Sequence, residues 1–292
     1  MTELARSPRH GGTAPSTALF DGLFDDAALF PPGDAPMAAA VPAHRELRTR
    51  LGDLVGPFVV PAARLGELAE HLGDGEPIGV SLIAAAGDLP AAAVRVTSHP
   101  RLTLAAVEVP VVADATAARD AVRVLDDVVP VGVPAAVELP RSEARDEVLD
   151  VLAGTRHRAK LRTGGVRAPL FPSPEELAGT LHACISRGVA LKCTAGLHHA
   201  VRHTDPVTGF EHHGFLNVLL AVDALVTKTS TATAWLTETD PAALVTALRT
   251  WPADRATRAR AVFTSFGTCS VLEPVDDLVT LGLLPSRERI PA

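Results

Sequence analysis

The chain has 292 residues, a net charge of -7, 47% hydrophobic residues and only 4% aromatic ones, with no tyrosine. A chain of this length and apolarity can bury a sizeable core, so wholesale disorder is excluded. The acidic balance and scarce aromatic rings exclude a basic footprint or a base-stacking surface for nucleic acid.

Three cysteines, Cys184, Cys193 and Cys269, include no CxxC pair. They speak against a disulfide framework or a zinc ribbon and fit a reducing compartment. The opening stretch, MTELARSPRHGGTAPST, carries no apolar segment of the secretory kind. The apolar run from Phe215 to Val226 is broken by polar residues and too short to span a bilayer. The expectation is a cytoplasmic protein with no membrane or nucleic-acid partner. Its partner would be a small anionic or carbonyl substrate, with a homo-oligomer left open.

In chain order, residues 1–17 read as a loose tail and 18–292 as one domain. The stretch ALFDGLFDDAALFPPGDAPM follows. Its Pro-Pro and Gly-Asp pairs stop a helix, which predicts a structured loop. With Asp25 and Asp26 it could fold over one end of the domain as a plug or lid. A helix is expected over Met37–Arg50. Short Val/Ile/Leu-rich runs then alternate with longer segments of helical spacing. The predicted strands are Pro57–Val60, Ile78–Ala84, Leu102–Val109, Ala135–Leu139, Ala159–Arg162, Ala190–Thr194 and Ala261–Ser265. The predicted helices are Ala62–His71, Asp114–Leu125, Arg141–Leu152, Pro174–Ser186, Phe215–Ala224 and Pro241–Thr250. Apolar strands separated by helices imply a parallel sheet buried on both faces. No GxGxxG or GxxxxGK[ST] follows an early strand, which disfavours a doubly wound nucleotide-binding sheet. The fold class is therefore α/β, a (β/α) TIM-like barrel with an N-terminal loop and helix extension. An eighth strand is required between Thr194 and Ala261, with Val222–Thr227 as the candidate.

In such a barrel the site lies at the carboxyl ends of the strands, and residues two apart share a face. That rule places Glu138, Lys160 and Lys192, from three successive strands, in one pocket. Arg162 and Thr194 stand just above, with Cys193 on the opposite face from Lys192. Burying such charges is costly unless they pair or perform a function. Glu108 is the weakest member of the set, because Pro110 can end its strand on the outside. The glycines of RTGG, Gly164 and Gly165, beside Arg162 could hold a carboxylate or phosphate, or form an ordinary tight turn. Asn217 in HGFLNV and Ser270 in FTSFGTCS complete the candidate substrate-binding residues. Cys269 reads as a structural thiol unless a base stands beside it.

Five of the 11 histidines, His198, His199, His203, His212 and His213, follow the Lys192 strand directly. His198 suits acid–base work, since an imidazole titrates near neutrality. His199, His203, His212 and His213 are candidate ligands of a divalent transition metal, although no diagnostic spacing is present.

Taken together, LFPP, KLRTGG, KxTAGLHH, HGFLNV and FTSFGTCS followed by EP resemble a widespread bacterial family of uncharacterised proteins, from Leu19 to Leu284. That likeness implies no catalytic assignment. Lys192-Cys193-Thr194-Ala195-Gly196 is also similar to the K-T-S-T-G strand of class I aldolases of the deoxyribose-phosphate aldolase kind, with departures at Cys193 and Ala195. In that family the Schiff-base lysine stands on the sixth strand, and Lys192 falls on the sixth strand counted here. The likeness implies that Lys192 forms the imine, with Lys160 or Arg162 lowering its pKa. The second lysine expected on the seventh strand would be Lys228, if Val222–Thr227 were that strand.

Three functions fit these residues. The first is an aldolase-type lyase with Lys192, Lys160, Glu138 and His198 as its catalytic residues, which requires no cofactor. The second is a metal-dependent lyase, isomerase or hydrolase built on the histidines. The third is a non-catalytic protein that binds a small anion.

Overall fold

The computed structural model describes residues 17–286. The expected tail lies almost wholly outside them. Eight parallel strands close into a barrel. They are β1 (Phe24–Asp26), β2 (Val55–Pro61), β3 (Ile78–Ile83), β4 (Leu102–Val109), β5 (Ala135–Glu138), β6 (Arg158–Arg162), β7 (Leu191–Thr194) and β10 (Phe263–Thr268). They follow one another around the barrel in chain order, and β10 pairs with β1 to close it. A two-stranded antiparallel hairpin, β8 (His203–Thr204) and β9 (Glu211–His212), stands apart from the barrel sheet.

The helices around the barrel are α1 (Met37–Leu51), α2 (Leu65–His71), α3 (Leu89–Thr97), α4 (Ala115–Val128), α5 (Arg145–Leu152), α6 (Pro174–Ser186), α7 (Phe215–Thr227), α8 (Ala232–Thr237), α9 (Pro241–Arg249), α10 (Ala253–Val262) and α11 (Leu272–Thr280). Local chemistry marks several starts. Ser173 caps α6 by accepting from the Glu176 N–H, and Asp114 caps α4 by accepting from Thr116 and Ala117. These satisfy amides that a first helical turn leaves unpaired. The apolar core lies mainly between the strands' outward faces and the helices. Phe24 and Phe266 point outward there and meet Phe215 of α7, with ring centroids 5.8 and 5.3 Å away.

The missing strand is the largest difference from the sequence reading. It is Phe24–Asp26, inside the segment expected to form a plug or lid, and it opens the barrel. Residues 195–262 supply only the hairpin and helices α7 to α10. Val222–Thr227 forms the C-terminal half of α7, and Lys228 is its left-handed cap residue. The count of every later strand therefore rises by one, so Lys160 stands on the sixth barrel strand and Lys192 on the seventh. Helices α3, α8, α10 and α11 also lie outside the expected set, and β10 runs three residues beyond its expected end.

The loops after β6 and β7 touch backbone to backbone. A Cβ on Gly164 would lie 2.7 Å from the Gly196 Cα and 2.7 Å from Phe171. Gly196 itself has φ 75°, and Ala195 before it has φ 60°, a region costly for a residue with a Cβ. The Thr163 hydroxyl fixes this turn by donating to the Ala195 carbonyl at 2.5 Å. Gly164→Ala is expected to destabilise the protein by about 1–3 kcal/mol through overpacking, read as a lower urea midpoint. A midpoint equal to wild type would mean that the two loops separate easily.

Candidate active site

Inside the barrel an unbroken chain of alternating charges crosses the interior. Ser265 Oγ donates to Asp25 Oδ2 at 2.9 Å. Lys192 Nζ lies 2.6 Å from Asp25 Oδ2 and 2.5 Å from Glu108 Oε1. Lys160 Nζ lies 2.7 Å from Glu108 Oε2 and 3.1 Å from Glu138 Oε2. Arg162 Nε lies 3.1 Å from Glu138 Oε1, and Ser81 Oγ donates to Glu108 Oε1 at 2.9 Å. The order is Asp25, Lys192, Glu108, Lys160, Glu138, Arg162: three carboxylates against three cations.

Alternation along the strands makes this arrangement. Glu138, Lys160, Lys192 and Ser265 are register partners on β5, β6, β7 and β10. Side chains in register on neighbouring strands share the inner face. Asp25 and Glu108 reach in from β1 and β4. The five charged residues from Asp25 to Glu138 are buried, Glu108 being 2% and Lys192 5% exposed. Cys193 faces away into the core, as expected.

Glu138, Lys160, Arg162 and Thr194 line one cavity, whereas Lys192, expected in the same pocket, joins them only through Glu108 and does not line it. Two further members of the chain depart from the sequence reading. Glu108 points inward and is the centre of the chain, bound to both lysines, because the strand keeps its alternation up to Val109 before Pro110. Asp25 belongs to a strand and not to a lid.

The charges set one another. Burial works against the Lys192 cation, but Asp25 and Glu108 overcome it and hold its pKa above the ordinary lysine range. The expected lowering by Lys160 or Arg162 therefore does not occur. Burial also opposes the Glu108 carboxylate, yet the two lysines hold its pKa well below the usual carboxylate range. At Asp25 burial outweighs Lys192, and the pKa is raised. Desolvation of this kind costs several kcal/mol per ion, so the chain is an expensive way to fill a barrel.

Two compartments open at the carboxyl end. The inner one, a cavity of about 380 Å³, is walled by Lys160, Glu138, Arg162, Thr194, His198 and Cys269. The outer one, of about 440 Å³, lies under the histidine hairpin, and the two share His198, Cys269, Ala195, Gly165 and Val166. Lys192 instead lines a cavity of about 140 Å³ at the opposite end, with Asp25, Arg158 and Ser265.

The remaining candidates divide by position. Gly165 lines both compartments, whereas Gly164 is committed to the close approach with Gly196. Asn217 is buried at the start of α7. Its Oδ1 accepts from the Arg202 N–H, and its Nδ2 donates to the Trp235 and Glu238 carbonyls, so its hydrogen bonds go to backbone. The Ser270 carbonyl accepts from Thr268 Oγ1.

The histidines separate as well. His199, His203 and His212 form a row, with ring centroids 4.7 and 5.1 Å apart. His213 is buried away from them, with its Nε2 2.8 Å from the Pro172 carbonyl. Among the described residues no three His, Cys, Asp or Glu side chains are placed to hold a metal ion. His198 Nδ1 stands 3.1 Å from Glu273 Oε2 and 3.7 Å from Cys269 Sγ. An imidazole therefore does stand beside that thiol.

Burial disfavours the charged form of His198, but hydrogen bonds with Cys269 and Glu273 outweigh it and raise its pKa to about 9. Burial lowers that of His213 to about 4. Relative to 6.5 in the unfolded chain, His198 contributes stability that is full below pH 6.5 and lost as pH rises through about 9. His213 contributes stability that is present above pH 6.5 and lost as pH falls through about 4. In urea unfolding at a series of pH values, His198→Asn should lie furthest below wild type at pH 6 and converge with it above pH 9. A gap independent of pH would show that the imidazole acts through packing alone.

Among the described residues no helix is long and apolar enough to cross a membrane. No family model, curated protein or solved structure matches the chain.

Proposed function

We infer that the chain is an enzyme, a lyase of the aldolase type that acts on a carbonyl substrate through an imine on Lys160. The barrel is compatible with this chemistry and with others, and fold alone decides nothing among them. The observation that carries the reading is the position of Lys160. It is a buried amine in the wall of the inner compartment, between the carboxylates of Glu108 and Glu138. Lys192 lies deeper, locked as a cation between Asp25 and Glu108, which suits it to electrostatic support and not to attack. The corrected strand count supports the same exchange of roles, since the aldolase likeness puts the imine on the sixth strand and a second lysine on the seventh. It sets strand position against the short K-C-T-A-G match, and the geometry favours strand position.

The amine must shed a proton before it attacks. Glu108, held ionised by two cations, is a poor acceptor, which leaves Glu138 at 3.1 Å. The neutral amine adds to the carbonyl carbon, and the oxygen leaves as water with the proton returned by Glu138. The iminium then draws electrons from the bond between its α and β carbons. Glu138 takes the hydroxyl proton of the β carbon, whose fragment departs as a carbonyl compound, and protonated His198 in the same wall supplies a proton to the α carbon left behind. Water then hydrolyses the iminium, which frees the second product and the Lys160 ammonium, and the proton on Glu138 returns to His198 through solvent. Arg162, half-exposed beside Glu138, suits a carboxylate or other anionic group of the substrate.

Borohydride reduction in the presence of a panel of aldehydes and keto acids tests the reading. The expected result is a covalent adduct mapped to the Lys160 peptide. An adduct confined to Lys192 would reverse the roles of the two lysines, and no adduct with any member would refute the imine.

A further inference from the structure

The outer compartment combines aromatic rings with histidines and two carboxylates. Its walls include Phe171, Phe210, His203, His212, Val166 and Val207. Phe171 lies 5.5 Å from Phe210 and 4.5 Å from His212, ring centroid to ring centroid. Val166, in the loop after β6, is 69% exposed, and Val207, at the hairpin tip, is 91% exposed. Both border this cavity, so two of the exposed valines stand on its rim. No lysine or arginine lines it among the described residues.

The charged groups that do reach it already have partners. His198 faces Glu273, and His199 Nδ1 lies 3.2 Å from Asp277 Oδ2. The Asp205 carboxylate accepts from the Val207 and Thr208 amides and the Thr208 hydroxyl. Burial lowers the pKa of His212, favouring its neutral ring. An anion here would meet no lysine or arginine among the described residues, whereas a planar apolar ring would meet the faces and edges of four rings.

We propose that the outer compartment is a binding subsite for an uncharged aromatic group. The substrate would extend from its carbonyl carbon in the inner compartment, past His198 and Cys269, to an aryl ring beneath the hairpin. The place of the carbonyl rests on the imine reading of Lys160; the subsite does not.

A probe that cannot form an imine separates the two. Titration of the intact protein with 4-fluorobenzyl alcohol, followed by fluorine NMR, should show saturable binding. Val207→Asp alters only an exposed tip and should weaken that binding about tenfold, the effect of leaving about two methylene groups in water. Phe210→Ala should weaken it further, and inorganic phosphate should not compete. Absent or non-saturable binding, affinity unchanged in Val207→Asp, or competition by phosphate would overturn the subsite. With borohydride, 4-(4-fluorophenyl)butanal, whose chain separates carbonyl from ring, should be trapped at lower concentration than butanal, and Val207→Asp should remove that preference. If neither aldehyde is trapped while the alcohol binds, the imine fails and the subsite stands. If both are trapped equally and the alcohol does not bind, the reverse holds.

Discussion

Replacing Lys192 by methionine should destabilise the protein by about 3–5 kcal/mol, the usual cost of breaking a buried ion pair from one side. In a chain of this length that lowers the melting temperature on the order of 10 °C. Glu108 keeps Lys160 as a partner at 2.7 Å, but Asp25 is left with the Ser265 hydroxyl. The damage therefore centres on Asp25, whose pKa burial already raises. In the variant Asp25 should bind a proton on folding, so the deficit should shrink as pH falls and grow as pH rises, the sign expected for a carboxyl raised above its unfolded value. Adding Asp25→Asn removes the stranded charge and should recover a large part of the loss, since a neutral amide keeps the volume without the ion. Urea unfolding of the two variants at several pH values reads this directly. If both lie within about 0.5 kcal/mol of wild type, the chain of charges is not what holds β1 in the barrel.

That coupling between β1 and β7 explains what was legible in the sequence. Strands whose outer faces pack on helices announce themselves as apolar runs, whereas β10, Phe-Thr-Ser-Phe-Gly-Thr, is reached through Ala261 and Val262 at the end of α10. Strand β1 is only Phe24-Asp25-Asp26. One aspartate turns inward to Lys192, and the other turns outward, its Oδ2 2.9 Å from His44 Nδ1 on α1. An ion pair thus fills the inner face and a polar contact takes one of the two outer positions, which leaves Phe24 alone and no hydrophobic pattern to be read. The apolarity of α7 instead draws the eighth strand to Val222–Thr227, because a long buried helix and a buried strand share the same composition.

The inward set at Glu138, Lys160, Lys192, Arg162 and Thr194 was legible because period-two alternation is a rigid rule. A charge count would have extended it. Two lysines and an arginine against Glu138 alone leave two cations unpaired in a low-dielectric interior, which requires two further carboxylates. Glu108 and Asp25 are those two. The outer compartment was beyond reach, because Phe171 comes from the loop after β6 and Val207 and Phe210 from the turn of the hairpin. Their meeting depends on the close approach at Gly164 and on the hairpin held by Arg202 and Glu211, 2.8 Å apart.

Lys160→Arg separates the two lysines most sharply. Arginine keeps a cation between Glu108 and Glu138, so the alternating chain survives, but it cannot surrender its proton to become a nucleophile. The folded protein should lose its borohydride adduct entirely. Once a turned-over substrate is in hand, the rate should fall at least about a thousandfold, as when a covalent nucleophile is removed. Lys192→Met should behave differently: a less stable protein that still forms the adduct on Lys160, more slowly because the cation beside Glu108 is gone. Glu108 would then be a stronger base, its pKa no longer depressed by two cations, and the pH dependence of trapping should shift while its position on the chain does not. A Lys160→Arg protein that still forms the adduct would return the imine to Lys192. The two carboxylates around Lys192 would then have to be read as groups that give up their hold on its proton when substrate enters.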